Sequence, residues 1–410
     1  MSLSIYINAA IGFTATTVLI LALRPIARAI GLVDTPNERK VHEGEIPLVG
    51  GLAIFTAMLV THLVSEKLFP GSTRPGNLQS FYVAGGLLII AGMVDDYRDL
   101  SPTFRIVIEI LAALILIFGA GVVIDDIGTM LFHGNTLSLG RAAVPFTIFA
   151  IVGLVNAVNM SDGLDGLAGS LALVPILGFI AASALFGNSE ETMVLTGLAA
   201  SIFAFLVFNI TVPGKRRALI FLGDSGSMFL GLVLAWFAIR LSQGEDRVIT
   251  PAAALWFLTL PIYDTVCMAS RRVIRKRPMF SADKEHLHHV FLLAGFTVTE
   301  SVATMTGLAI IGVLVGLTGT RFGVSDFVLA GSFLILGLVY FWVILRAWTV
   351  MRFLRRSICR RRVIADRRTH GERRRGIRSS YKGPEQRSRQ DRRARDRRQL
   401  DRSGASGNRP

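Results

Sequence analysis

The chain has 410 residues, 51% of them hydrophobic and 18% charged, with a mean hydropathy of +0.52; water-soluble domains carry about 25% charged residues, so a soluble globular fold is excluded. The formal charge is +15, but residues 351–410 carry 22 Lys or Arg against 6 Asp or Glu, which leaves residues 1–350 at −1. The basicity belongs to a tail. Two cysteines, Cys267 in an apolar stretch and Cys359 in the tail, cannot build a disulfide framework and lend little support to a redox or zinc-ribbon role.

Apolar windows long enough to cross a bilayer as helix recur along the body. There are eleven, near 4–24, 47–64, 80–94, 104–124, 143–160, 167–186, 193–211, 219–239, 250–269, 300–319 and 325–347. The first has no charged segment before it and is followed by Arg24, Pro25 and Arg28 without a small-residue cleavage pattern, so it reads as a retained helix and not a signal peptide. The chain is thus expected to be all-α and polytopic, with a membrane domain over 1–349 and an Arg-rich, disordered cytoplasmic tail over 350–410. Alternate loops divide the Lys and Arg residues fifteen to six, and the tail falls on the fifteen side. By the positive-inside rule this puts the amino terminus outside and the carboxyl terminus in the cytoplasm.

Acids and histidines are costly in so apolar a chain, so each is a functional candidate. They gather at the cytoplasmic ends of the windows. The first loop carries Asp34, Pro36, Arg39, Lys40 and His42, ahead of Pro47 and Gly50-Gly51. The third window ends in Asp95-Asp96 with Asp99 just beyond. Adjacent carboxylates repel unless they share a cation or proton, and hard oxygen ligands suit Mg²⁺, which bridges substrate phosphates. Solvated acids at a helix end are the plainer reading.

The fifth window runs into Asn156, Asn159, Asp162 and Asp165, whose spacing of three predicts one polar ridge on a helix, with Gly163 and Gly166 allowing close packing. An interhelical hydrogen-bond ladder is the alternative. Asp224 lies among small residues in Gly223-Asp224-Ser225-Gly226-Ser227, where a bulky anion can approach, and Phe221 precedes it. The ninth window ends near Asp264. In the loop beyond, His286 and His289 share a helical face with His288 offset, next to Arg271, Arg272, Arg275, Lys276 and Arg277. This cationic loop could grip a pyrophosphate, although the positive-inside rule alone also explains its arginines.

Together these motifs resemble, in family order over about residues 1–345, the polyprenyl-phosphate N-acetylhexosamine-1-phosphate transferases (glycosyltransferase family 4), and most closely their bacterial undecaprenyl-phosphate N-acetylglucosamine-1-phosphate branch. The resemblance implies transfer of a sugar 1-phosphate from a UDP-sugar, here UDP-N-acetylglucosamine, to undecaprenyl phosphate, with release of UMP, as the first lipid-linked step of a cell-envelope polysaccharide such as O-antigen. It implies Asn159 and Asp224 as ligands of Mg²⁺, with Mn²⁺ as a substitute. Phe221 would stack on uracil and Asp165 would bond its edge, with Lys40 and His42 also on the donor side. Asp95 and Asp96 would sit by the lipid phosphate, one of them as base. Asp162, His286, His288 and His289 would complete the catalytic group.

The tail departs from the family pattern. It repeats Asp-Arg-Arg or Glu-Arg-Arg at 366, 372, 391 and 396, which suits anionic lipid headgroups; nucleic acid is the less favoured partner, and a solvated extension is the bland reading. The sequence leaves room for an oligomer. The competing functions are the same chemistry on another UDP-N-acetylhexosamine or on UDP-N-acetylmuramoyl-pentapeptide, and, from another class, a multispan transporter, whose sites lie at the bilayer midplane and often within internal repeats.

Overall fold

A computed structural model describes residues 3–35, 44–70, 75–131, 136–187, 189–211, 218–274, 276 and 286–346. Lys40, His42 and the whole of the expected 350–410 tail lie outside the described residues. By its internal contacts the chain divides into Met1–Ile358 and Cys359–Pro410, and every described element belongs to the first unit.

Thirteen helices are described, in the order α1 (Leu3–Ile30), α2 (Gly50–Leu68), α3 (Pro75–Arg98), α4 (Pro102–Ala120), α5 (Ala143–Ser161), α6 (Leu167–Phe186), α7 (Ser189–Asn209), α8 (Gly223–Ser242), α9 (Pro251–Phe257), α10 (Thr259–Ile274), α11 (Leu287–Ala294), α12 (Val298–Arg321) and α13 (Asp326–Leu345). A two-residue antiparallel pair, β1 (Val33–Asp34) with β2 (Ile46–Pro47), closes the first loop. Among the described residues ten helices are long and apolar enough to cross a membrane, or eleven when the bent α9–α10 pair is counted as one span. The chain is an α-helical, multi-pass membrane protein.

The ninth expected span departs from a plain helix. It is broken at Leu258, where α9 and α10 meet at 82°. The polar ridge expected over 156–165 is also corrected: α5 stops at Ser161, so only Asn156 and Asn159 lie on the helix, while Asp162 caps its end and Asp165 sits in the turn before α6.

Helix α8 is the hub, almost wholly buried and packed on α2, α3, α5 and α6. Lipid tails are as apolar as leucine, so helix association in a bilayer rests on close van der Waals fit, which small residues permit. A Cβ on Gly51 would meet the Gly226 Cα at 2.3 Å, and one on Gly92 would meet the Ser225 Cα at 2.2 Å. The first turn of α8 therefore has backbone from α2 and α3 directly against it. Two further bonds fix that end, with Gly50 N–H donating to Phe221 O and Gly51 N–H to Leu222 O, each at 3.0 Å.

Candidate active site

The site begins at the corner between α3 and α4. Ser101 caps α4 through Phe104 N–H at 3.3 Å and Pro102 occupies the first turn, so the chain reverses within three residues of Arg98. This reversal brings Arg105 back over Asp95, whose Oδ2 accepts from the guanidinium at 2.7 Å while Oδ1 accepts from Leu100 N–H at 2.7 Å. The Asp95 side chain is 4% exposed, with both oxygens engaged.

Asp96 points the other way, towards the start of α8. Its Oδ1 accepts from Asp224 N–H at 2.8 Å, and Ser225 N–H lies 3.5 Å from Oδ2. The first N–H groups of a helix have no partner within it, so a carboxylate there satisfies orphan donors and the positive end of the dipole. Gly223 is needed at this junction: its φ is +77° and a Cβ would stand 2.6 Å from Asp96 Oδ2.

From α5, Asn159 Nδ2 donates to Asp224 Oδ1 at 2.8 Å and to Ser227 Oγ at 2.9 Å. Asp224 Oδ2 lies 3.9 Å from Arg105, and the Asp224 side chain, at 38% exposed, is far more open than Asp95. Thus Asp95, Asp96, Asn159 and Asp224 converge on the meeting point of α3, α4, α5 and α8. Asn156 does not join them. Its Nδ2 bonds Glu109 and the Val152 carbonyl, which is the interhelical ladder reading for that residue.

A second group forms around the α5–α6 turn. Thr211 Oγ1 donates to Asp165 Oδ2 at 2.6 Å. Asn209, buried at the end of α7, accepts from Gly166 N–H at 2.7 Å and donates to Ile220 O at 2.9 Å, tying the Asp165 turn to the strand-like stretch that carries Phe221. Phe221 is half-buried, bridged to Leu48, with its N–H on Pro47 O at 2.9 Å. Asp162 is exposed at the end of α5.

The histidines form the third group. The expected common helical face of His286 and His289 is corrected, because His286 is the residue before α11 in extended backbone and only His288 and His289 lie on the helix. The rings nonetheless cluster, with His286 parallel to His288 at 5.6 Å and the His289 ring tilted by 54° against His288 at 4.2 Å. A Cβ on Gly163 would be 2.3 Å from His288 Nε2, so the cluster lies directly against the Asp162-Gly163 turn.

A divalent cation fits the first group. Three carboxylates gather there with one guanidinium, beside Asp95 and Asp224, among the described residues, so the cluster is short of positive charge. Mg²⁺ uses one or two carboxylates and fills its octahedron with water and substrate phosphate oxygens. No set of three His, Cys, Asp or Glu is gathered around one point among the described residues, so a cation would draw part of its shell from water and substrate. Asp224, the open carboxylate, and the amide oxygen of Asn159, whose Nδ2 is already committed, are the donors best placed.

Arg105 and Asn209 are site residues that the sequence alone does not single out. The Ser-Pro cap that turns α4 back on α3 was the available signal for Arg105. Asn209 carried none, since it is a single polar residue near the end of an apolar helix.

The family model of glycosyl transferase family 4 matches residues 78–242. Named relatives align over most of the chain. The undecaprenyl-phosphate alpha-N-acetylglucosaminyl 1-phosphate transferase of Salmonella typhi is 33% identical over 346 residues, 84% of this chain and 92% of the relative. Proteins of the same name from Haemophilus influenzae and Escherichia coli (strain K12) are 32% and 31% identical, covering 97% and 92% of their own lengths.

Burial, reinforced by the neighbouring His289 and His286, pushes the His288 ring down to about 3 from its usual 6.5. The folded chain therefore keeps His288 neutral through a range in which the unfolded chain takes up a proton. Stability from this source is intact above pH 6.5 and is lost as the pH falls towards 3, by at most about 1.4 kcal/mol per pH unit. Melting in detergent should show a drop in Tm between pH 6.5 and 4 that is shallower in His288→Gln; an equal drop in the variant would place the acid sensitivity elsewhere.

Proposed function

The chain belongs to glycosyl transferase family 4, and from that membership we propose that it transfers N-acetylglucosamine 1-phosphate from UDP-N-acetylglucosamine to undecaprenyl phosphate, releasing UMP and leaving undecaprenyl-diphospho-N-acetylglucosamine. The observation that carries this reading is the convergence of Asp95, Asp96, Asn159 and Asp224 at the ends of four apolar helices. A lipid acceptor must stay in the bilayer and a nucleotide sugar in water, so their reaction requires a polar site at one end of a membrane bundle. A transporter is disfavoured both by the family and by that placement away from the bundle centre.

An oxygen of the lipid phosphate attacks the phosphorus that bears the sugar, a new P–O bond forms, and the bond to the UMP phosphate breaks. The attacking oxygen is already anionic, so the protein's work is chiefly positioning and charge neutralisation. Asp95 is committed to Arg105 and Leu100 N–H, which holds the corner that presents Asp96 and the guanidinium. Asp96 sets the start of α8 and so the direction of Asp224. A bound Mg²⁺, held by Asp224 and Asn159, would supply Lewis-acid neutralisation of the diphosphate. Phe221 and Asp165, joined through Asn209, suit a planar base with a hydrogen-bonding edge, and the histidine cluster suits the diphosphate and sugar.

The loop charges support a site facing the cytoplasm of a bacterial inner membrane, with the amino terminus outside, and the product is that of an initiating step in a polysaccharide such as O-antigen. The Arg-rich tail then leaves the membrane on the cytoplasmic side, where each basic residue near an anionic surface contributes roughly 1 kcal/mol.

Purified protein given a panel of UDP-sugars with undecaprenyl phosphate and Mg²⁺ should release UMP with the highest kcat/KM for UDP-N-acetylglucosamine. EDTA should stop the reaction reversibly, and Asp224→Asn should reduce it at least about 100-fold without loss of folded protein. Preference for the muramoyl-pentapeptide donor, or full turnover in chelator, would refute the donor or the metal assignment. For orientation, single cysteines at Ser101 and Ala218 should be labelled only from the cytoplasmic side and one at Gly244 only from outside; the reverse pattern would turn the chain over. Removal of residues 352–410 should leave turnover in detergent unchanged while weakening binding to vesicles rich in anionic lipid, and unaltered vesicle binding would dismiss the tail's proposed partner.

A further inference from the structure

Away from the acid cluster, a buried polar assembly joins α10, α11 and α13. Asp264 on α10 is 5% exposed and accepts three hydrogen bonds. Its Oδ2 is 2.8 Å from His286 Nδ1, and its Oδ1 takes Leu287 N–H at 3.1 Å and the Tyr340 hydroxyl at 3.1 Å. Leu287 is the first residue of α11, so the bond to its N–H satisfies one of that helix's orphan donors. One carboxylate thus fixes both the His286 ring and the start of the helix that bears His288 and His289.

The division of labour between the two oxygens has a chemical consequence. An ionised carboxylate only accepts hydrogen bonds, so the hydrogen between His286 and Asp264 sits on Nδ1, and Nε2 is the ring nitrogen left for other chemistry. From His286 the contacts run on through the parallel ring of His288 to Gly163 and the Asp162 turn. Tyr340 stands at the far end of this path. It is carried by α13, which is itself pinned by Tyr263 donating to Phe333 O and by Trp256 donating to Leu329 O at 2.9 Å.

We propose that Asp264, braced by Tyr340, is a positioning residue that holds His286 as the Nδ1-protonated tautomer and so sets its Nε2 as the group presented to the donor diphosphate. This rests on the transferase reading given above. Asp264 does not itself touch substrate; its effect passes through His286.

Asp264→Asn tests the point because it keeps the shape and inverts one contact. Its single oxygen is claimed by Leu287 N–H and Tyr340, which turns the NH₂ towards His286 Nδ1 and favours the Nε2-protonated ring. In protein with ¹⁵N-labelled histidine, the His286 signals should switch tautomer in this variant. The kcat for UMP release should fall about 10- to 100-fold, with KM for the UDP-sugar changed by less than about 3-fold. In a His286→Gln background the same substitution should change kcat by less than about 2-fold, since residues acting as a unit are not additive. An unchanged tautomer, or an equal loss in both backgrounds, overturns the proposal. Should Asp264→Asn fail to fold, Tyr340→Phe removes one bond to Oδ1 and should lower kcat several-fold with His286 present and not in its absence; equal loss in the two backgrounds again overturns it. If the unsubstituted protein releases UMP from no donor, the transferase reading falls, whereas the tautomer measurement still decides the role of Asp264.

Discussion

Everything at the acid cluster depends on how few cations answer its carboxylates. Asp95 and Asp224 lie by Arg105, with Asp96 turned to the start of α8, at the end of an apolar bundle, where the dielectric is low and uncompensated charge is expensive. The chain handles each carboxylate differently. Asp95 takes the guanidinium and a backbone N–H, Asp96 takes the N-terminal N–H groups of α8, and Asp224 takes the Asn159 amide, with Arg105 3.9 Å away. Asp224, without a close guanidinium of its own, is also far more exposed than Asp95, so one carboxylate of the cluster is left open to a cation from outside.

That arrangement in turn depends on packing. Helix α8 can lie at the centre of the bundle because Gly51, Gly92 and Gly231 let α2, α3 and α5 approach it at backbone distance. The same contacts place the first turn of α8 within reach of Asp96 and Asn159. A β-carbon at Gly92 would push α3 away from Ser225 and move Asp96 with it, so the small residues that hold the membrane domain together also set the spacing of the charged groups.

The spans and the clustering of polar motifs were legible in the sequence because both are written in composition: long apolar runs read as helices whatever their neighbours, and an acid in such a run stands out. What escaped was set by local geometry. The Asn159 and Asp162 positions share a spacing of three, but the helix ends between them, and spacing alone does not reveal where a helix stops. His286 was read onto a helix face for the same reason. Arg105, counted only as a loop charge, becomes a site residue because Ser101 and Pro102 turn α4 back on α3. Asp264 was noticed as the end of a span, while its link to His286 bridges 22 residues and could not be read from either segment.

The two polar assemblies are anchored in different parts of the bundle, and this bears on how two dissimilar substrates can meet. The acid cluster belongs to α3, α4, α5 and α8, all tied to the central helix. The histidines are tied through Asp264 to α10 and α13, beyond the 82° break that separates α10 from α9. Their meeting point is the turn after α5, where His288 rests on Gly163 three residues before Gly166, which is bonded to Asn209. A straight ninth span would carry Asp264 along the axis of α9. The break redirects α10, and the carboxylate it carries holds His286, whose ring stacks on the His288 that rests against the turn Asn159 leads into. The bend in an otherwise ordinary apolar segment is therefore what turns the Asp264-anchored histidines towards the turn at which α5, the helix that carries Asn159, ends.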